Sequence, residues 1–253
     1  MTLSDLDRWL SAFLDISALA GIDASQNGLQ VARRSQDVRR VAFAVDASLE
    51  SFRRAVESGA DVLVVHHGIL WAAPLTLTGS HFERVRFLVE RDLALWAAHL
   101  PLDRHPEVGN NACIARALGL EDLQPFGAHR GVKIGYKGRL PVPLPLEEVV
   151  GMLRARQGEP VRTLPFGPPS VSTVGIVSGA AARDAAQAAA ESLDLFVTGE
   201  PSHDVYHHCL EARIHAIFAG HYHSESYGVQ ALAERLAKET GLETTYLDVP
   251  TGL

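Results

Sequence analysis

Two short runs of this chain set imidazoles where an apolar run stops. "LVVHHG" (Leu63 to Gly68) ends in His66 and His67, and "IFAGHYHSE" (Ile217 to Glu225) delivers His221, His223 and Glu225 within five positions. Neutral imidazole binds zinc, iron, nickel or copper, and carboxylates add oxygen donors, so the chemistry these residue types offer is metal ligation. Adjacent residues of a strand point to opposite faces, so His66 and His67 can serve one site only where the strand is ending. There they could reach two different ions. On its own "HH" reads more readily as polar side chains finishing a strand. Glu225 on its own is as well explained by the preference for acids in a first helical turn. Together with His221 and the turn that Gly220 permits, ligation becomes the better reading.

Asp103, in "HLPLDRHPEVGNN", precedes Pro106 and Gly109 and is expected on a loop, with a turn or capping role as the plainer alternative. His99 is spaced to share that site as a ligand, as a partner of a ligand, or as a general acid or base; the last two are favoured. The sum is His66, His67, Asp103, His221 and Glu225, which is three imidazoles and two carboxylates without a thiolate. Two ions roughly 3.5–4 Å apart need about this many donors, and such a pair lowers the pKa of a bound water, with His99 at hand to move protons. Zinc, iron, manganese, cobalt and nickel all suit nitrogen and oxygen ligands, which leaves the identity of two divalent metal ions per subunit open. His203, His207 and His208 read as a polar helix face, with Glu200 a possible support for a ligand. His105 and His215 read as structural, and "GVKIGYKG" has no phosphate-loop pattern.

The elements that must carry these groups alternate. "VRRVAFAVDAS", "DVLVVHHG" and "LALWAAHLPLD" read as buried strands, separated by the helical patterns "LESFRRAVESGA" and "SHFERVRFLVERD", with Ser80 as a possible cap. The N-terminal "SDLDRWLSAFLD" has helical spacing with Ser4 or Asp5 as cap. The order then repeats. Asp46 precedes Asp61 by fifteen positions, as Gly179 precedes Asp194, and His99 and Asp103 match His221 and Glu225 in spacing. This predicts an α/β fold of two duplicated lobes with mixed, largely parallel sheets. We place the first lobe at residues 1–123, a proline-rich connector at 124–169 and the second lobe at 170–253.

Composition excludes several classes. The formal net charge of −7 and the lack of a basic block disfavour nucleic acid. The two cysteines, Cys113 and Cys209, form no CxxC pair and no disulfide framework, as expected of a cytoplasmic protein. No run of about 18 apolar residues suggests a membrane span, and acidic residues interrupt the N-terminal helix, so it is not a signal peptide.

"VVHHG", "AHLPLD" and "AGHYHSE" in this order, with "SQNGLQV" before them, resemble the dinuclear-metal-centre hexameric proteins, the GTP cyclohydrolase 1 type 2 homologs. The resemblance runs over nearly the whole chain, without the long inserted domain of some members. It implies interlocked α/β lobes, a ring-shaped homohexamer (a toroid), and a metal pocket at the residues that match: His66, His67, Asp103, His221 and Glu225, with His99 beside them. It further implies a hydrolase that opens the imidazole ring of a purine nucleotide. Gly68 stands where members commonly have proline, and "HLPLD" where they have His-Thr-Asn-Leu-Asp. A binuclear metallophosphoesterase is the second reading, supported by "GHYH" but lacking the early Asp-x-His. A non-catalytic metal-binding scaffold or regulator is the third.

Overall fold

In the computed structural model, which describes residues 1–253 apart from the side chain of Gln157, helices and strands alternate along most of the chain. Chain order opens with α1 (Leu3–Phe13), β1 (Gly28–Val31), β2 (Arg40–Asp46), α2 (Leu49–Glu57), β3 (Val62–His67), α3 (Gly79–Glu90), β4 (Ala94–Ala97) and α4 (Leu100–Arg104). It continues with α5 (Asn110–Ala117), β5 (Glu121–His129), β6 (Val132–Leu144), α6 (Leu146–Gln157), β7 (Arg162–Pro165) and β8 (Val171–Ile176). Then follow α7 (Ala185–Ala190), β9 (Leu195–Thr198), α8 (Val205–Ala212), β10 (His215–Phe218), α9 (His221–Thr240) and β11 (Glu243–Tyr246). Among the described residues no helix is long and apolar enough to cross a membrane.

The chain divides into two units. The first comprises Met1–Leu102 and Gly228–Val249, the second Asp103–Tyr227 and Pro250–Leu253. Residues 124–169, set aside from the sequence as a connector, supply most of β5 and all of β6, α6 and β7 to the second unit. Both α4 and α9 begin among the residues of one unit and end among those of the other.

The sheet of the first unit runs β1-β4-β3-β2-β11, with β4, β3, β2 and β11 parallel and β1 antiparallel at the edge. Its central strands are buried on both faces, which is why they read as continuous apolar runs. On one face Ala42, Ala44, Leu63, Val65 and Leu95 join Phe52 and Ala55 of α2 and Leu88 of α3 in a single cluster. The sheet of the second unit runs β5-β6-β8-β9-β10-β7, and β8, β9 and β10 are its parallel part. There Val174, Ile176, Leu195, Val197 and Ile217 pack with Ile114 and Leu118 of α5 and Val149, Val150 and Leu153 of α6.

The two units repeat one device. Asp61, just before β3, accepts the N–H groups of Arg39 and Arg40 at 2.8 and 3.1 Å. Asp194, just before β9, accepts those of Ser172 and Thr173, both at 2.9 Å. The carbonyls of the same two aspartates receive the N–H of Ala94 and of His215. Register follows: Val65 faces Ala97, and Thr198 faces Phe218. His99 is therefore equivalent to Gly220, not to His221. The matched His-x-x-x-carboxylate spacings are one residue out of register.

Two helix starts also differ from expectation. α1 begins at Leu3 because Thr2 is extended and its hydroxyl accepts from Asp5 N–H at 3.1 Å, so neither Ser4 nor Asp5 is the cap. α3 is preceded by extended Thr78 rather than by Ser80.

Candidate metal centre

Within the first unit, His66 and His67 close β3 and His99 follows β4. One ring nitrogen of each lies within 4.8 Å of the others. The centroids of His66 and His67 are 4.7 Å apart, although the residues are neighbours, because the strand stops at His67. The site stands at the carboxyl ends of parallel strands, where open α/β sheets bind ligands.

Each ring is held through Nδ1. His66 Nδ1 is 2.9 Å from the carbonyl of Ala98, and His67 Nδ1 is 2.9 Å from Oδ1 of Asp46, its cross-strand neighbour at the end of β2. His99 Nδ1 is 2.8 Å from Oδ1 of Asp23. Carbonyls and ionised carboxylates only accept, so Nδ1 carries the proton in each case and Nε2 is the lone-pair nitrogen of the neutral ring. Asp23 is itself saturated: its fully buried carboxylate also accepts from Ser25 N–H at 2.9 Å, Asn27 Nδ2 at 2.8 Å and Leu100 N–H at 3.0 Å. Burial alone would raise its pKa, but the hydrogen bonds from His99 and Asn27 outweigh it and keep the carboxyl below its usual range.

Within the second unit, His221 and Glu225 lie one turn apart on α9, and His221 Nε2 is 3.0 Å from Glu225 Oε2. Nδ1 of the same ring meets Glu200 Oε1, so Glu200 is a partner of His221 rather than part of a bare polar face. Burial pulls the His221 pKa down, yet the hydrogen bonds and charges of Glu225 and Glu200 prevail and push it up to about 9. Asp103 lies within 4.8 Å of Glu225, oxygen to oxygen. It sits in α4 rather than on a loop. Its Oδ1 accepts from Asn110 Nδ2 at 2.9 Å and from Ser178 Oγ at 2.8 Å, which fixes the plane of the buried carboxylate. Asn111 bridges this frame, donating to the Asp103 carbonyl at 3.2 Å and accepting from Ser178 N–H at 2.7 Å.

Glycines clear the way for α9. A Cβ on Gly179 would stand 2.3 Å from Glu225 Oε1, and one on Gly199 would stand 2.6 Å from the Gly179 carbonyl and 2.9 Å from His221 Cα.

All six residues singled out in the sequence therefore fall into two groups, His66, His67 and His99 in one unit, Asp103, His221 and Glu225 in the other. Sequence reasoning missed Asp23, Asp46, Asn110, Asn111 and Ser178. Of these only "NN" carried a signal, two polar residues opening an apolar helical run. His203, His207 and His208 are exposed. His105 is structural, its Nδ1 taking the N–H groups of Glu107 and Val108, and so is His215, which bonds Gly167 and Pro168.

The donor set fits divalent cations. It offers three imidazoles held through Nδ1 in the first unit, an imidazole and oriented carboxylates in the second, and no thiolate. Over 249 residues, 98% of this chain and 94% of the relative, the chain is 49% identical to the GTP cyclohydrolase 1 type 2 homolog of Deinococcus radiodurans. It is 45% identical to the protein of that name from Archaeoglobus fulgidus, with both chains fully covered. Among solved structures, TTHA1606 from Thermus thermophilus superposes with a TM-score of 0.90 at 44% identity, again over 100% of both chains. The model of the family Duf34/NIF3 (NGG1p interacting factor 3) matches residues 1–251, and the chain belongs to that family.

Proposed function

We propose that His66, His67, Asp103, His221 and Glu225 hold two divalent metal ions, and that the protein is a metal-dependent hydrolase. The observation that carries this reading is the anchoring of every candidate imidazole. Nδ1 of His66, His67, His99 and His221 is each engaged by a carbonyl or carboxylate, the arrangement that sets a histidine for ligation through Nε2.

A bound pair of such ions supplies Lewis acidity and lowers the pKa of a coordinated water. His99, its Nδ1 proton committed to Asp23, offers Nε2 to accept a proton from water and return it to a leaving nitrogen or oxygen. Asp46 and Glu200 orient His67 and His221. By analogy with the names of the curated relatives, the substrate is a purine nucleotide whose imidazole ring is opened by water. The family resemblance further leads us to propose a homohexamer in the cytoplasm.

Elemental analysis of the purified protein tests the reading. Wild type is expected to carry about two equivalents of transition metal per chain, and His67→Ala or Glu225→Gln to lose at least half. Full loading of both variants, or none of the wild type after exposure to zinc, manganese or iron, would overturn it. Turnover of GTP by the loaded wild type, absent in His99→Gln with metal retained, separates a hydrolase from a binding scaffold.

A further inference from the structure

Trp71 stands outside the ligand set, yet its ring lies against it. Its centroid is 5.2 Å from that of His99 at 72°, and 6.3 Å from that of His67. The indole Nε1 donates to the Gly68 carbonyl at 3.0 Å, so the polar handle is satisfied within its own loop. What the half-buried ring still offers is π surface.

The ring is held by a frame of two segments, residues 23–30 and 68–72. Gln26 N–H donates to the Leu70 carbonyl at 3.0 Å, and Ala72 N–H to that of Ala24 at 2.7 Å. Gln30 Oε1 accepts from Ile69 and Leu70 N–H at 2.7 and 3.1 Å. Gly68 leaves the space this amide fills, since a Cβ there would lie 2.4 Å from it. The first segment also anchors His99, through Asp23 to Nδ1 and through Asn27 Oδ1, which accepts His99 N–H at 2.8 Å. One frame thus fixes two rings at a set angle before any ligand arrives. Trp96, by contrast, sinks into the core at 1% exposure. Trp71 instead stays only half-buried with its ring beside the imidazoles of His99 and His67, an arrangement suited to a preorganised stacking subsite.

We infer that Trp71, with the edge of His99, forms a stacking subsite for a neutral planar heteroaromatic ring of the substrate. The choice of a neutral ring rests on the metal reading above, because two divalent ions nearby would repel a cation that would otherwise sit on the indole face.

Calorimetric titration with guanosine 5′-monophosphate and ribose 5-phosphate, in manganese chloride, isolates the ring from the sugar phosphate. Wild type is expected to prefer the nucleotide. Trp71→Ala should lose that preference by roughly 5- to 100-fold, the range of single base–aromatic stacks, with ribose 5-phosphate affinity and metal content unchanged. Trp71→Phe should keep most of it. An equal preference in Trp71→Ala, or none in wild type, would sink the inference. So would a loss of metal or of ribose 5-phosphate affinity in Trp71→Ala, which would make Trp71 a prop for the loop. Metal content of the same samples keeps the two readings apart: a ring preference lost in Trp71→Ala without any bound metal refutes the metal centre and leaves the subsite standing.

Discussion

The parallel triads β2-β3-β4 and β8-β9-β10 share their register and their aspartate device but end differently. In the first, the carboxyl ends of the strands carry Asp46, His66, His67 and, two residues beyond β4, His99. In the second, the equivalent positions are Gly179, Gly199, Glu200 and Gly220. One triad supplies donors from its strand ends. The other has glycine at three of these four positions, and the first two turns of α9 occupy the cleared space with His221 and Glu225. A duplicated scaffold has kept its sheet and divided the labour at its rim, which fits the rule that sites are grafted onto folds rather than dictated by them.

If the glycines exist to admit α9, filling them should do the most damage. Gly199→Ala puts a Cβ against backbone on two sides, where nothing flexible can give. Overpacking of this kind costs about 1–3 kcal/mol, and a fall in thermal midpoint of roughly 2–10 °C follows for a chain of this size. Gly179→Ala adds left-handed strain (φ 68°) to a collision with Glu225 Oε1, so it should lower metal occupancy as well as stability. Gly21→Ala, with nothing within 4 Å of the added Cβ, is the control and should be neutral. Thermal melts that place Gly199→Ala level with Gly21→Ala would remove the argument.

The next test asks whether the two triads anchor their histidines to equal effect. Asp46→Ala frees His67 Nδ1 and Glu200→Ala frees His221 Nδ1 from a carboxylate. Each should weaken metal affinity by about 10- to 100-fold, the usual consequence of losing an outer partner of a ligand, with less effect on folding than the glycine variants. Competition against a zinc chelator measures both. If only Asp46→Ala weakens binding, the ligand half is the first triad alone.

How much of this was legible follows from how local each signal is. His66 and His67 at a strand end, and His221 and Glu225 one helical turn apart, are short-range patterns, and they could be read. Asp23 lies 76 positions from His99, and although "SQNGLQV" follows it closely, nothing local ties it to that histidine, because the contact is made by tertiary packing. The register slip between His99 and His221 arose because the apolar run "LALWAAHL" continues past the end of β4 at Ala97, so hydrophobicity alone could not say where the strand stops. Asp103 was expected on a loop for the sake of Pro106 and Gly109. Pro101 was the better clue, since proline in a first helical turn forgoes an N–H that would have no partner there.

The smallest effect concerns the shared aspartates. Asp61 and Asp194 cap equivalent strand starts, but their third partners differ: Asp61 pairs with the Arg33 guanidinium, and Asp194 accepts the Thr173 hydroxyl at 3.0 Å. Burial would raise the Asp61 pKa; the N–H groups of Arg39 and Arg40 and the Arg33 guanidinium together bring it below the usual carboxylate range. Its folded value is depressed, so its contribution is complete above the unfolded pKa and is lost as pH falls through the folded one. Asp61→Asn keeps an acceptor and removes the charge. The variant should therefore be less stable than wild type by about 1 kcal/mol near neutrality, and the gap should shrink in urea melts as pH falls below the ordinary carboxylate range and through the depressed folded value. Salt should narrow the gap for Asp61→Asn, because a partly exposed ion pair is screened, and should leave that of Asp194→Asn unchanged. A gap for Asp61→Asn that ignores both pH and salt would mean that the guanidinium contributes nothing and that the two devices are the same in energy as well as in geometry.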